Sequence, residues 1–154
     1  MCGIVGYIGR RDATPILISG LKRLEYRGYD SFGIATVGSA LEIYKRTGSI
    51  SDGEAGAAGL RGSTGIGHTR WAGYGEPTVT NAHPQVDCEG KIAVVHNGVI
   101  ENYSDLKREL EDRGHVFRSE TDTEAIAHLI EEHYDGDLLA AVNATLPHLQ
   151  GSYA

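Results

Sequence analysis

With 154 residues, 40% of them hydrophobic and 23% charged, the chain has the length and composition of a folded domain that can bury a core of its own. Its 21 acidic against 14 basic side chains give a formal charge of −7, which excludes the basic face that releases phosphate counterions from nucleic acid. There is no apolar run of about 18 residues, no basic-then-apolar leader and no disulfide framework from two cysteines, so a cytoplasmic chain with no membrane or nucleic-acid partner is expected.

Taken in order, residues 2–8 carry Ile4, Val5 and Ile8 in a short apolar run that predicts a buried strand. Pro15 suits the first turn of a helix, and Ile16, Leu17, Gly20, Leu21 and Leu24 continue at helical spacing to about Glu25. A polar, aromatic connector, Tyr26 to Ser31, leads into two strands, residues 32–37 and 41–45, around a Gly38-Ser39 turn: a hairpin. Residues 49–63 hold little to bury and predict a short helix or loop. Residues 64–72 form the next strand, running into a loop at Gly73-Tyr74-Gly75.

Residues 91–96 read as a strand that ends at Asn97-Gly98, a tight-turn dipeptide. Ser104 is placed to cap a helix carrying Leu106 and Leu110, with Gly114 at its end. Val116-Phe117 suggests a brief strand. Thr121-Asp122-Thr123-Glu124 has the capping-box pattern ahead of Ala125, Ile126, Leu129 and Ile130. A last helix starts at Asp137, and residues 151–154 stop where another strand would begin. A hairpin together with amphipathic helices implies a layered α+β domain. The 21 glycines, about twice the usual share, punctuate the strands and suggest close packing of layers rather than a linker.

The candidate chemistry starts at Cys2. Removal of Met1 would leave a thiol and an α-amine on one residue, and an α-amine with a pKa near ~8 can act as that thiol's base. A thiol nucleophile needs an oxyanion hole, which the Asn97 amide and the Gly98 N–H can supply. Arg70 can grip a carboxylate and Asp122 an ammonium group. Alone, Arg70 reads as a surface ion pair, Asp122 as a helix cap and Asn97 as a hairpin turn. Together with Cys2 they match an amino acid with an acyl side chain. His128 and His133, five apart, lack the spacing of a helical ligand pair and read as core-edge histidines; no GxxxxGK[ST] or GxGxxG loop is present. No metal and no cofactor are expected.

The blocks Cys2-Gly3-Ile4-Val5-Gly6-Tyr7-Ile8-Gly9, Leu24-Glu25-Tyr26-Arg27-Gly28-Tyr29-Asp30-Ser31, Gly67-His68-Thr69-Arg70-Trp71-Ala72, Asn81-Ala82-His83-Pro84, Val95-His96-Asn97-Gly98 and Ser119-Glu120-Thr121-Asp122-Thr123-Glu124 carry a family resemblance over the whole chain. It resembles the glutamine amidotransferases with an N-terminal cysteine nucleophile, most closely the glutaminase domains of the glucosamine-6-phosphate synthase family. The resemblance implies a four-layer αββα sandwich of the N-terminal-nucleophile hydrolase type, with residues 1–154 as the N-terminal part of a type-2 amidotransferase domain cut short at its C-terminus. It implies hydrolysis of glutamine through a Cys2 thioester, with Asn97 and Gly98 stabilising the oxyanion. Arg70, Trp71, Gly73, Tyr74, His83 and Asp122 then bind substrate, with Trp71 on the loop that closes over glutamine. Ammonia would pass to fructose-6-phosphate bound by isomerase domains that these residues do not include, in a full-length enzyme expected to be a homodimer. The alternatives are a paralogue with another ammonia acceptor and a non-catalytic domain.

The sequence departs from the family in two places. The family pattern Arg-Trp-Ala-Thr-His-Gly is Arg70-Trp71-Ala72-Gly73-Tyr74-Gly75 here, and the second histidine of Asn-Ala-His-Pro-His is Gln85. Gly73 lacks the threonine hydroxyl and frees the backbone, so weaker glutamine binding is expected, with the chemical step retained.

Overall fold

The computed structural model describes residues 2–71 and 75–154. The chain divides into two compact units, Met1–Pro84 and Gln85–Ala154. The expectations for Gly73 and Tyr74 lie outside the described residues.

The first unit runs β1 (Gly3–Ile8), α1 (Ala13–Leu24), a 3-10 turn (Glu25–Arg27), β2 (Ser31–Val37), β3 (Leu41–Thr47), α2 (Ile50–Ala57) and β4 (Thr64–Arg70). The strands form one antiparallel sheet in the order β1-β4-β2-β3. Asp12 starts α1 by accepting the Thr14 N–H at 3.2 Å, and Ser49 starts α2 by accepting the Asp52 N–H at 3.2 Å. Leu17, Ile18 and Leu21 of α1 meet Phe32 and Ile34 of β2 and Ile50 and Ala57 of α2 in one buried cluster. Glycine permits this contact: a Cβ at Gly65 or Gly67 would lie 2.8 Å from Leu17 Cδ1 or 2.9 Å from Leu21 Cδ1. The predicted hairpin of β2 and β3 is present, with Val37 paired to Leu41 across the turn. β1 is less buried than expected, because Ile8 at its end is 82% exposed.

The opposite face of this sheet is also covered. Alternation in β2 turns Phe32 and Ile34 toward α1 and Ser31, Gly33 and Ala35 away, yet all of them are buried. A Cβ at Gly33 would sit 2.2 Å from the His83 carbonyl oxygen, so residues near 83 lie directly on that face.

The second unit runs β5 (Gln85–Val86), β6 (Ala93–Val94), β7 (Gly98–Ile100), α3 (Tyr103–Asp112), α4 (Thr123–His133), α5 (Leu138–Thr145), a 3-10 turn (Leu146–His148) and β8 (Gly151–Tyr153). β5 pairs with β6 and β7 with β8, both antiparallel. Its core gathers Ile100, Leu106, Leu110, Ala125, Ile126, Leu129, Ile130 and Ala141. Every residue from 123 to 130 is buried, so α4 is the unit's central helix.

Several local expectations change here. Asn97-Gly98 makes no tight turn: Gly98 enters β7, opposite Tyr153. The strand expected over residues 91–96 contracts to Ala93–Val94, and Val116-Phe117 is not a strand. Ser104 does not cap α3, whose N-cap is Asn102 without a side-chain bond. The capping box at Thr121–Glu124 does not close either. Glu124 turns back and accepts from the backbone N–H groups of Arg118 at 2.8 Å and Ser119 at 2.6 Å. For Asn97-Gly98 the competing partner is distant in sequence, since Gly98 pairs with Tyr153. Among the described residues, no helix is long and apolar enough to cross a membrane.

Candidate active site

In the first unit the antiparallel register brings the sequence-predicted residues to one sheet edge. Gly3 pairs with Thr69 and Ser31 with Arg70, so Cys2, one step before Gly3, reaches the end of β4 where Arg70 sits. The Thr69 hydroxyl accepts the Gly3 N–H at 3.1 Å and anchors the chain immediately behind Cys2. The Trp71 backbone N–H then donates to the Cys2 sulfur at 3.2 Å. The Cys2 thiol in turn donates to the Trp71 carbonyl at 3.7 Å.

Arg70 is not the surface ion pair that its sequence context alone suggests. It is 4% exposed, and its guanidinium donates to the carbonyls of Gly75 at 3.0 Å and Glu76 at 3.1 Å. Asn81 donates to the same Glu76 carbonyl at 3.0 Å, so Glu76 is held from two sides. His83 is buried, its ring centroid 4.3 Å from that of His68. Trp71 is 56% exposed and lies against Gly28, where a Cβ would come within 2.4 Å of Trp71 Cε3. Gly28 also has φ of 111°, a conformation that glycine adopts readily and other residues rarely do. Gly28 therefore has a physical use that its sequence pattern did not disclose: it seats the tryptophan beside Cys2.

In the second unit Asn97, Gly98 and Asp122 are brought together. The Asn97 backbone exchanges two hydrogen bonds with Ala154, at 2.9 and 2.8 Å, which fixes the start of β7. Gly98 has φ of 132°, and a Cβ there would lie 2.0 Å from the Ser152 oxygen, so only glycine fits. Asp122 sits at the N-terminus of α4 and accepts the Ile100 N–H at 2.8 Å, two residues along from Gly98. Its other oxygen is 3.9 Å from His96 Nδ1, which is itself 2.9 Å from the Thr123 hydroxyl. Burial pulls the His96 pKa below its ordinary 6.5 despite the nearby Asp122 charge, so His96 stays neutral. His96 was missed as a supporting residue, because its bonds to α4 cross about 27 residues of sequence.

The first unit thus holds a thiol beside a buried guanidinium, and the second a constrained glycine N–H near a carboxylate at a helix start.

A family profile described as a glutamine amidotransferase domain matches residues 72–154. The chain is 58% identical over 157 residues to glutamine–fructose-6-phosphate aminotransferase (isomerizing) of Symbiobacterium thermophilum, covering 100% of this chain and 26% of that protein. Its likeness to the protein of the same description from Pyrococcus horikoshii is 57% over 159 residues, covering 100% of this chain and 27% of the other. The chain thus spans about a quarter of the length of these relatives. Among solved structures, it superimposes on the glutamine phosphoribosylpyrophosphate amidotransferase of B. subtilis, complexed with ADP and GMP, with a TM-score of 0.85. The sequence identity is 30%, over 100% of this chain and 34% of the other.

Proposed function

The chain belongs to the glutamine amidotransferase domain family, and on that premise we propose that it is the glutamine-hydrolysing part of a glutamine–fructose-6-phosphate aminotransferase. Its fold is that of the N-terminal-nucleophile amidotransferases. Residues 1–154 would form the N-terminal part of a type-2 domain in a longer enzyme. The identities of 57–58% to aminotransferases of that description, against 30% to the phosphoribosylpyrophosphate enzyme, favour fructose-6-phosphate as the eventual ammonia acceptor. Fructose-6-phosphate would bind elsewhere in that longer protein, which the family resemblance makes a cytoplasmic homodimer.

In the proposed reaction, removal of Met1 exposes the Cys2 α-amine, which takes the thiol proton as the sulfur attacks the side-chain amide carbon of glutamine. The oxyanion of the tetrahedral intermediate is received by the Asn97 side-chain amide and the Gly98 N–H. Collapse breaks the C–N bond; the α-ammonium returns its proton to the leaving nitrogen, and ammonia departs from a Cys2 thioester. Water, deprotonated by the same α-amine, then attacks the thioester and releases glutamate. Arg70 binds the substrate α-carboxylate and Asp122 its α-ammonium group. Trp71, Gly73, Tyr74 and His83 complete the binding set.

The observation that carries this proposal is the Trp71 N–H bond to the Cys2 sulfur beside buried Arg70. The test is a glutaminase assay on protein whose N-terminus has been established by mass spectrometry. Glutamate release by processed wild type, lost in Cys2→Ala and in any form retaining Met1, is the expected result. A folded, processed wild type that releases no glutamate overturns the proposal and leaves a non-catalytic domain.

A further inference from the structure

Away from the glutamine site, four chemically mixed side chains of the second unit converge. Cys88 lies in the turn between β5 and β6. His115 follows Gly114, whose φ of 99° closes α3 with the Gly114 N–H on Glu111 and the His115 N–H on Leu110, a Schellman motif that swings His115 back over the unit. His128 and Glu131 are three apart on one face of α4. Cys88 Sγ is 3.5 Å from His115 Nδ1 and 3.6 Å from His128 Nδ1. Glu131 Oε2 is 3.1 Å from His115 Nδ1 and 3.3 Å from His128 Nδ1. All four ligand atoms lie within 4.8 Å of one another.

We propose that Cys88, His115, His128 and Glu131 form a tetrahedral site for a zinc-type divalent cation. A tetrahedral ion with bonds of about 2.3 Å to sulfur and about 2.0–2.1 Å to nitrogen or oxygen holds its ligands about 3.6 Å apart for S–N and about 3.3 Å for N–O pairs. The four separations given above, 3.1–3.6 Å, lie close to these values, and the other two pairs lie within 4.8 Å.

Glu132 selects the tautomer that such a site needs at His115, whose Nε2 is 2.8 Å from Glu132 Oε1. His128 Nε2, which makes no hydrogen bond among the described residues, faces Glu124 Oε1 at 3.6 Å. A neutral imidazole whose Nε2–H points at a carboxylate presents a bare lone pair at Nδ1. With an ion bound, the two Nδ1 lone pairs, one carboxylate oxygen and one sulfur would be its four Lewis bases. Both outer carboxylates are themselves held, Glu124 by Arg118 and Ser119 and Glu132 by Arg113 at 3.0 Å.

Charge closes as well. A thiolate, a carboxylate and two neutral imidazoles balance a divalent ion, and binding sends the Cys88 thiol proton, with any proton on the two imidazoles, to solvent. Because the protein supplies all four ligands, the site is of the closed, structural kind. The ion would pin the β5–β6 turn and the end of α3 to the helix whose first turn carries Asp122. Helical spacing could not reveal it, since only His128 and Glu131 are neighbours in sequence.

The test uses the whole chain, stripped with chelator and titrated with Zn(II) against a chromophoric competitor, then with Co(II). Expected are about one Zn(II) per chain, visible absorption bands of tetrahedral Co(II), and a near-ultraviolet thiolate-to-cobalt band that Cys88→Ser abolishes. Glu132→Gln, which leaves every ligand in place, should weaken Zn(II) binding by about 10–100-fold. It preserves the readout if Cys88→Ser does not fold. Zn(II) binding well below one equivalent at micromolar free metal overturns the proposal, as does a Co(II) spectrum indifferent to Cys88→Ser. None of these readouts depends on glutaminase activity, so this site and the proposed glutamine chemistry stand or fall separately.

Discussion

Asp122 Oδ2 accepts the backbone N–H of Ile100 at 2.8 Å, which joins the first turn of α4 to the strand that starts at Gly98. One carboxylate therefore has two tasks: it holds β7 in register, and it is the proposed partner of the substrate ammonium. The two separate by substitution. Asp122→Asn keeps an oxygen for Ile100 and removes the charge, so stability should change little while KM for glutamine rises steeply. Asp122→Ala also leaves a half-buried N–H without its partner and should cost about 1–3 kcal/mol of folding free energy. Urea denaturation and steady-state glutaminase kinetics on both variants test this. Equal loss of stability in the two variants would refute the dual role.

Gly28 offers a second separation. Its φ of 111° disfavours any side chain, and a Cβ would strike the Trp71 ring at 2.4 Å. Gly48 has a comparable φ of 90° with nothing within 4 Å. Both Gly→Ala changes should cost about 1–2 kcal/mol from the backbone term. Only Gly28→Ala should also displace Trp71, whose N–H holds the Cys2 sulfur, and so lower kcat/KM for glutamine by about tenfold or more, the equivalent of about 1.4 kcal/mol. Identical kinetics for the two variants would show that the Trp71 ring does not matter to Cys2.

His96 makes stability depend on pH. Burial opposes its charging, with Asp122 and the Thr123 hydroxyl facing it, so its pKa in the folded protein lies below the ordinary 6.5. Above 6.5 the imidazole is neutral in both folded and unfolded states, and its contribution is constant. As pH falls from 6.5 toward the folded value, only the unfolded chain takes up the proton, so stability declines; below the folded value the loss levels off. The urea midpoint of wild type should fall across this window more than that of His96→Gln. Parallel curves would remove His96 as the source.

The departure at Gly73 and Tyr74 bears on glutamine affinity. Introducing Gly73→Thr with Tyr74→His into a full-length enzyme should lower KM for glutamine and leave kcat near its starting value, because a stiffer loop carrying a hydroxyl closes at less entropic cost. An unchanged KM would mean that these positions do not set affinity.

Much of this protein was legible in its residues alone. Apolar spacing located α1 and the β2–β3 hairpin, and Asp137 marked the start of α5, because periodicity and capping act within a few residues of chain. The motif blocks around Cys2, Arg70, Asn97 and Asp122 carried the family resemblance. Tertiary structure decided what is not local. Gly98 entered a strand because its partner is the β8 segment at 151–153. Cys2 met Trp71 through a pairing across 69 positions, and Cys88 and His115 met His128 and Glu131 through the packing of a turn and two helices. A hydrogen bond or a ligand atom is satisfied by whichever group the folded core brings within about 3 Å, and that choice has no signature in sequence spacing.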